Sequence, residues 1–265
     1  MTISISITSG KGGVGKTNCA VNLALSLRKI GKKVLLFDAD FGMANAHILL
    51  GTNPDKTVAD FLNKKALFNE IIVKTYNDLN FIAGGSALLE LLNLNNQSRY
   101  ELIRAFDDLN EKFDYLIVDT PAGGAENTLF FTSATDITLV VTVAEPTSFL
   151  DAYALIKAAN HEKKIRNYSI LFNMAENLKS ASQNFDNFYA ICNKFLDINL
   201  HYTGMIPLSN AIRRSIIKRK PIVVDQPDAP ETGSFNKIAK SLVYAPRNKI
   251  DGIKFFSNSI INENL

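Results

Sequence analysis

Residues Gly10-Lys11-Gly12-Gly13-Val14-Gly15-Lys16-Thr17 follow the pattern G-x-x-x-x-G-K-[ST] in full. Each position has a chemical reason. Glycines let the backbone turn successive N–H groups toward phosphate oxygens without Cβ clashes. A helix opening at the end of the loop adds positive potential. Lys16 is spaced to reach the β- and γ-phosphates, and the Thr17 hydroxyl to ligate Mg²⁺. Residues 10–17 are therefore candidate ligands for a nucleoside triphosphate and its magnesium ion.

Carboxylates stand where such a site needs them. The apolar run Tyr115-Leu116-Ile117-Val118 ends at Asp119, and Val34-Leu35-Leu36-Phe37 ends at Asp38, with Asp40 two residues on. Asp119 has the place of an aspartate that holds Mg²⁺ through its water shell. Phosphoryl transfer depends on positioning and charge stabilisation, so few residues suffice. An aspartate at a strand end can also cap a following helix, and for Asp38 that reading stands beside the functional one.

These residues need a scaffold that brings strand ends together. Short β-rich runs (Ile3 to Ile7, Val34 to Phe37, Leu79 to Ile82, Tyr115 to Val118, Ile137 to Val143, Ser169 to Phe172) alternate with longer helical segments, the first from Lys16 to about Lys29. That alternation predicts an α/β fold, a doubly wound, mostly parallel sheet with helices on both faces. Ligands of such sheets lie beyond the carboxyl ends of the strands. Residues 10–17, Asp38, Asp40, Asp119, Glu145, Asn173 and Pro207 all fall at such ends. Pro221 to Gly233 reads as a loop, and Phe235 to Tyr244 as a helix.

Composition narrows the class. The 265 residues are 46% apolar and 21% charged with net charge +3, which is ordinary globular chemistry. Nucleic acid is not expected as a partner at so small a charge. The two cysteines, Cys19 and Cys192, match no metal or redox spacing and read as reduced thiols. No run suits a membrane span, and the N-terminus lacks the basic and apolar regions of a signal peptide, so a cytoplasmic location is expected.

Lys11 adds a second lysine early in the phosphate loop. Ser9-Gly10-Lys11-Gly12-Gly13-Val14-Gly15-Lys16-Thr17 resembles the deviant Walker A ATPases, the SIMIBI-type P-loop NTPases. The resemblance implies ATP and Mg²⁺ as cofactors and a homodimer in which two protomers face each other across two nucleotides. Lys11 would reach into the partner's site, and Gly12 would let two backbones approach. It implies a catalytic set of Lys11, Lys16 and Asp40, with Asp40 orienting the attacking water. Thr17, Asp38 and Asp119 would form the metal group, and Asn173 and Pro207 would line the adenine. Asn173 also reads as a simple turn residue.

Further stretches resemble one branch. Asp38-Ala39-Asp40-Phe41-Gly42-Met43-Ala44-Asn45 looks MinD-like. Glu145-Pro146-Thr147-Ser148, running on through Asp151-Ala152-Tyr153-Ala154-Leu155-Ile156-Lys157, resembles the flagellar number and placement regulators called FlhG, FleN or YlxH. Partners implied are an FlhF-type signal-recognition GTPase, flagellar switch components and a σ54-dependent flagellar activator. Pro121, where a small residue is expected, departs from the pattern and stiffens its loop. Partition and division-site ATPases share the switch chemistry and are the alternatives. An iron–sulfur carrier needs paired exposed thiolates, which Cys19 and Cys192 do not offer.

Two segments remain. Residues 1–246 read as the ATPase domain. Residues 247–265 read as an amphipathic helix with Ile253, Phe256 and Ile260 on one face, either docked on the domain or laid on the cytoplasmic face of the inner membrane. Arg213, Arg214, Lys218, Arg219 and Lys220 form a basic cluster, read as a solvated helix end.

Overall fold

The computed structural model describes residues 1–42, 44–85, 94–109 and 111–257. In chain order the elements are β1 (Ile3–Ser9), α1 (Lys16–Lys29), β2 (Val34–Asp38), α2 (Ala46–Leu49), α3 (Val58–Leu62), β3 (Ile72–Lys74), β4 (Asn80–Ile82), α4 (Asn96–Ala105) and β5 (Tyr115–Ala122). Then follow α5 (Glu126–Ser133), β6 (Ile137–Thr142), α6 (Pro146–Lys163), β7 (Asn167–Ala175), α7 (Leu178–Phe195), β8 (Asn199–Pro207), α8 (Asn210–Ile217), α9 (Ile222–Asp225) and α10 (Pro230–Val243).

The strands form one sheet in the order β3-β4-β2-β5-β1-β6-β7-β8. Neighbours pair in parallel except β3 and β4, which are antiparallel. Strand alternation sends successive side chains to opposite faces. Ile5, Ile7, Leu36, Ile117, Leu139 and Leu171 pack under α1 and α10. On the other face, Leu35, Phe37, Leu116 and Val118 meet α4 and α5, while Val140, Ile170 and Phe172 meet α6 and α7. The expected doubly wound α/β sheet is what forms. No helix among the described residues is long and apolar enough to cross a membrane.

Three local expectations differ. β3 and most of β8 gave no strand signal. The stretch from Pro221 to Gly233, read as a loop, holds α9 and the first turn of α10. Its prolines sit at helix starts, Pro221 as the N-cap of α9 and Pro230 as the first residue of α10. A missing N–H breaks no helical bond there.

The third difference is at the C-terminus. Residues 247–257 form no α-helix and run as a strap across the base of the sheet, while Ile260 and Ile261 lie outside the described residues. The Asn248 N–H donates to the Asp136 carbonyl at 2.7 Å, and Asn248 Oδ1 accepts the Asn167 N–H at 2.9 Å. Lys254 Nζ meets Asp136 Oδ1 at 2.7 Å, and Asp136 Oδ2 accepts from the Ser4 backbone and hydroxyl. Phe255 is fully buried, with its ring centroid 4.9 Å from Phe106 and 6.5 Å from both Phe37 and Phe131. Ile253, Phe255 and Phe256 thus complete the core on the α4–α5 face, and that core runs past residue 246.

A buried phenylalanine truncated to alanine leaves a cavity as well as losing its transfer free energy. Phe255→Ala is therefore expected to lower stability by about 3–5 kcal/mol, read from urea unfolding. A loss below about 1 kcal/mol would mean that the strap is not packed as described.

Candidate nucleotide-binding site

The loop between β1 and α1 takes its shape from particular glycines. Gly13 and Gly15 have φ of +82° and +84°, the left-handed region that side chains avoid. Gly10 is needed for a different reason, since a Cβ there would lie 2.1 Å from the Asp151 backbone of α6. At Gly12 a Cβ would meet nothing within 4 Å among the described residues, so the loop presents an open edge there.

Asn173, at the carboxyl end of β7, braces the loop. Its Nδ2 donates to the Val14 carbonyl at 2.7 Å. The sequence places it at the adenine; its side chain here fixes the phosphate loop. Pro207 ends β8 one strand away, paired with Ala175.

Lys16 points into a buried nest of carboxylates. Its Nζ lies 2.7 Å from Asp119 Oδ1 and 3.9 Å from Asp40 Oδ2. Burial opposes its charge, but Asp119, then Asp40 and Asp38, outweigh that and raise its pKa above the ordinary lysine value. Burial also pushes Asp119 upward, a shift that Lys16 and the Thr17 hydroxyl reduce without cancelling.

The second oxygen of Asp119 is buried and has no hydrogen-bond partner among the described residues. A buried carboxylate oxygen without a donor is costly. Placed next to Thr17 it forms part of a hard oxygen donor set that suits Mg²⁺, whose remaining ligands are phosphate and water oxygens.

Asp38, also expected beside the metal, is placed otherwise. Its Oδ1 accepts the Asp40 N–H and its Oδ2 accepts the Ala46 N–H, both at 3.1 Å. Ala46 opens α2, so Asp38 shapes the turn that carries Asp40. Asn45 is the N-cap of α2, and Asp38 accepts the first N–H of that helix from the end of β2. The Asp38 pKa lies well above the ordinary range, because burial and the Asp119 charge disfavour the anion more than the two N–H groups and Lys16 favour it.

Lys11 lies on the rim. Its Nζ is 3.4 Å from Thr147 Oγ1 and 3.6 Å from Glu145 Oε2, with much of the side chain exposed. The structure thus gathers Lys16, Thr17, Asp38, Asp40, Asp119 and Asn173 around one loop and leaves Lys11 outside them.

Sequence reasoning passed over Arg99. This buried arginine of α4 donates from Nε to Asn127 Oδ1 at 2.8 Å, pairs with Glu126 and lies over Phe130. It ties α4 to the start of α5, at the end of the loop that leaves Asp119. A lone arginine within a helix carries no spacing signal.

The raised Asp38 pKa has a signed consequence. Neutral Asp38 contributes stability that is present below its unfolded pKa near 3.8 and lost as pH rises through the higher folded value. The nucleotide-free Asp38→Asn protein should therefore gain stability relative to wild type as pH rises above the unfolded value toward the folded one. Urea midpoints across that range would expose the opposite trend if Asp38 were ordinary.

Known proteins place this geometry. The family model for ParA, described as NUBPL iron-transfer P-loop NTPase, matches residues 1–243. The chain is 33% identical over 259 residues to the antiactivator FleN of Pseudomonas aeruginosa, covering 97% of this chain and 92% of FleN. It is 33% identical over 240 residues to the flagellum site-determining protein YlxH of Helicobacter pylori, covering 90% of this chain and 81% of YlxH. Among solved structures, the cell division ATPase MinD of Pyrococcus furiosus aligns with a TM-score of 0.77 at 26% identity, covering 92% of this chain and 99% of that one. The iron-transfer description finds no chemistry here. Both cysteines are buried in separate core layers, and burial pushes each thiol up to about 12. The chain belongs to the ParA/MinD family of P-loop ATPases, in the branch of the flagellar regulators FleN and YlxH.

Proposed function

We propose that this protein is a cytoplasmic ATP-driven switch that dimerises around its nucleotide and regulates the number and placement of flagella. The observation that carries the reading is the likeness to FleN over 97% of the chain. The finer roles are taken from the two relatives, one an antiactivator and the other a flagellum site-determining protein. The partners proposed are a second copy of this chain, a σ54-dependent flagellar activator, an FlhF-type GTPase and flagellar switch components.

The roles proposed for the residues are these. The N–H groups of residues 10–17 would hold the ATP phosphates, with Lys16 supplying positive charge beside them. Thr17 and Asp119 would hold Mg²⁺, which would supply charge neutralisation at the phosphates. Asp38 positions Asp40, and Asp40 orients the attacking water. Lys11 leaves Thr147 and Glu145 for the partner's nucleotide, and the open edge at Gly12 accommodates the facing loop. Asn173 and Pro207 border the adenine. Lys11, Lys16 and Asp40 are the catalytic set, and a dimer-specific fit to ATP is what shifts the population.

Membrane contact is proposed as well, as a peripheral association from the cytoplasmic side. Phe256 lies in the core and Ile253 packs against it, so neither is offered to a bilayer in this arrangement, and Ile260 lies outside the described residues.

The reading is tested by counting flagella by electron microscopy in cells carrying Asp40→Ala. A changed number or position is expected. An unchanged count would send the assignment to partition, if anucleate cells appear, or to division, if minicells do. The dimer step has its own measurement. With ATP, light scattering should give the wild-type protein twice the mass of Lys11→Ala, and equal masses would exclude Lys11 from dimerisation.

A further inference from the structure

We infer that the outward face of α8 is a lipid-contact surface that takes anionic phospholipid headgroups. α8 turns Ile212 and Ser215 into the protein. Helical spacing then points Arg213, Arg214 and Ile217 outward together, the two arginines one turn before the isoleucine. Ile217 is 73% exposed, and Leu208, just before the helix, is 71% exposed. Ile216 beside them is also exposed. Three large aliphatic side chains therefore stand in solvent among basic ones.

The charges there are available. Lys218 and Lys220 share Asp225 at 3.1 and 3.8 Å. Among the described residues no carboxylate lies within ion-pair distance of Arg213, Arg214 or Arg219. Arg219 holds a left-handed conformation with φ of +53°, and Lys220 N–H closes the turn onto the Ser215 carbonyl at 3.1 Å. The end of the helix is thus fixed, with its basic side chains outside.

The mixture selects the partner. Guanidinium groups pair well with phosphate oxygens of any source. A duplex offers phosphates but takes leucine or isoleucine only as wedges that unstack and kink it at a cost. A bilayer interface offers both, since apolar side chains sink below the headgroups while the arginines stay at phosphate level. The inference rests on the proposed membrane association and not on the flagellar reading, which the flagellar count tests by itself.

The test uses the full chain, sedimented with vesicles of phosphatidylcholine alone and of phosphatidylcholine mixed with phosphatidylglycerol, in ATP and in ADP. Binding is expected to the mixed vesicles only. It should fall about tenfold or more in the Arg213→Glu/Arg214→Glu double variant. It should also fall in Ile217→Asn, and ATPase activity should stay unchanged in both. Failure of the wild type to bind either vesicle in either nucleotide would overturn the inference. So would full binding by Ile217→Asn, or binding lost only when residues 258–265 are removed. Salt-sensitive binding of duplex DNA that depends on the arginines and ignores Ile217 would assign the face to nucleic acid instead.

Discussion

The pairing of Lys16 with Asp119, under the phosphate loop, is the constraint on which the rest of the site depends. A buried ammonium and a buried carboxylate are each costly alone, and removal of one would strand the other. Here the two lie 2.7 Å apart with Asp40 at 3.9 Å from the same nitrogen. The fold has to deliver residues from three segments to that point. β1 and β5 are direct neighbours, and β2 flanks β5 with Asp38 in register with Asp119. The central strand order therefore follows from the chemistry at its carboxyl edge.

The aromatic layer beneath makes that placement rigid. Phe37 precedes Asp38 and Phe41 follows Asp40, and the two rings pack on each other and on Phe131 of α5. Gly84 cannot carry a side chain, since a Cβ would lie 2.5 Å from the Asp38 carbonyl and 2.8 Å from Phe41. Phe255 of the strap closes the same cluster from the C-terminus. The turn bearing the aspartates is thus set by core packing on one side and by the N–H groups that Asp38 accepts on the other.

Much of this was legible in the sequence, and the reasons for what was not are physical. The phosphate loop is readable because phosphate binding demands glycines and a lysine at fixed spacing. The central strands are readable because burial on both faces makes them continuous apolar runs. β3 has three half-exposed or exposed residues, and edge pairing of that kind leaves almost no pattern. β8 is partly exposed over most of its length. The strap was misread because a segment that inserts single aromatics into a core shows the same sparse apolar spacing as an amphipathic helix. Asp38 kept two readings because a strand-end aspartate looks the same whether it ligates a metal or accepts backbone N–H groups.

The two lysines of the loop show how environment divides one residue type between two tasks. Lys16 has a side chain 7% exposed, is held by Asp119 and cannot leave without stranding buried charge. The Lys11 side chain is 43% exposed and its partner Glu145 60%, an ion pair in a geometry that solvent screens. Such pairs contribute about 0–1 kcal/mol, so Lys11 can change partner at little cost. A group that must stay in place calls for the first arrangement. A group free to exchange partners calls for the second. Four residues stand between them in the chain, and the difference lies in what packs around each side chain.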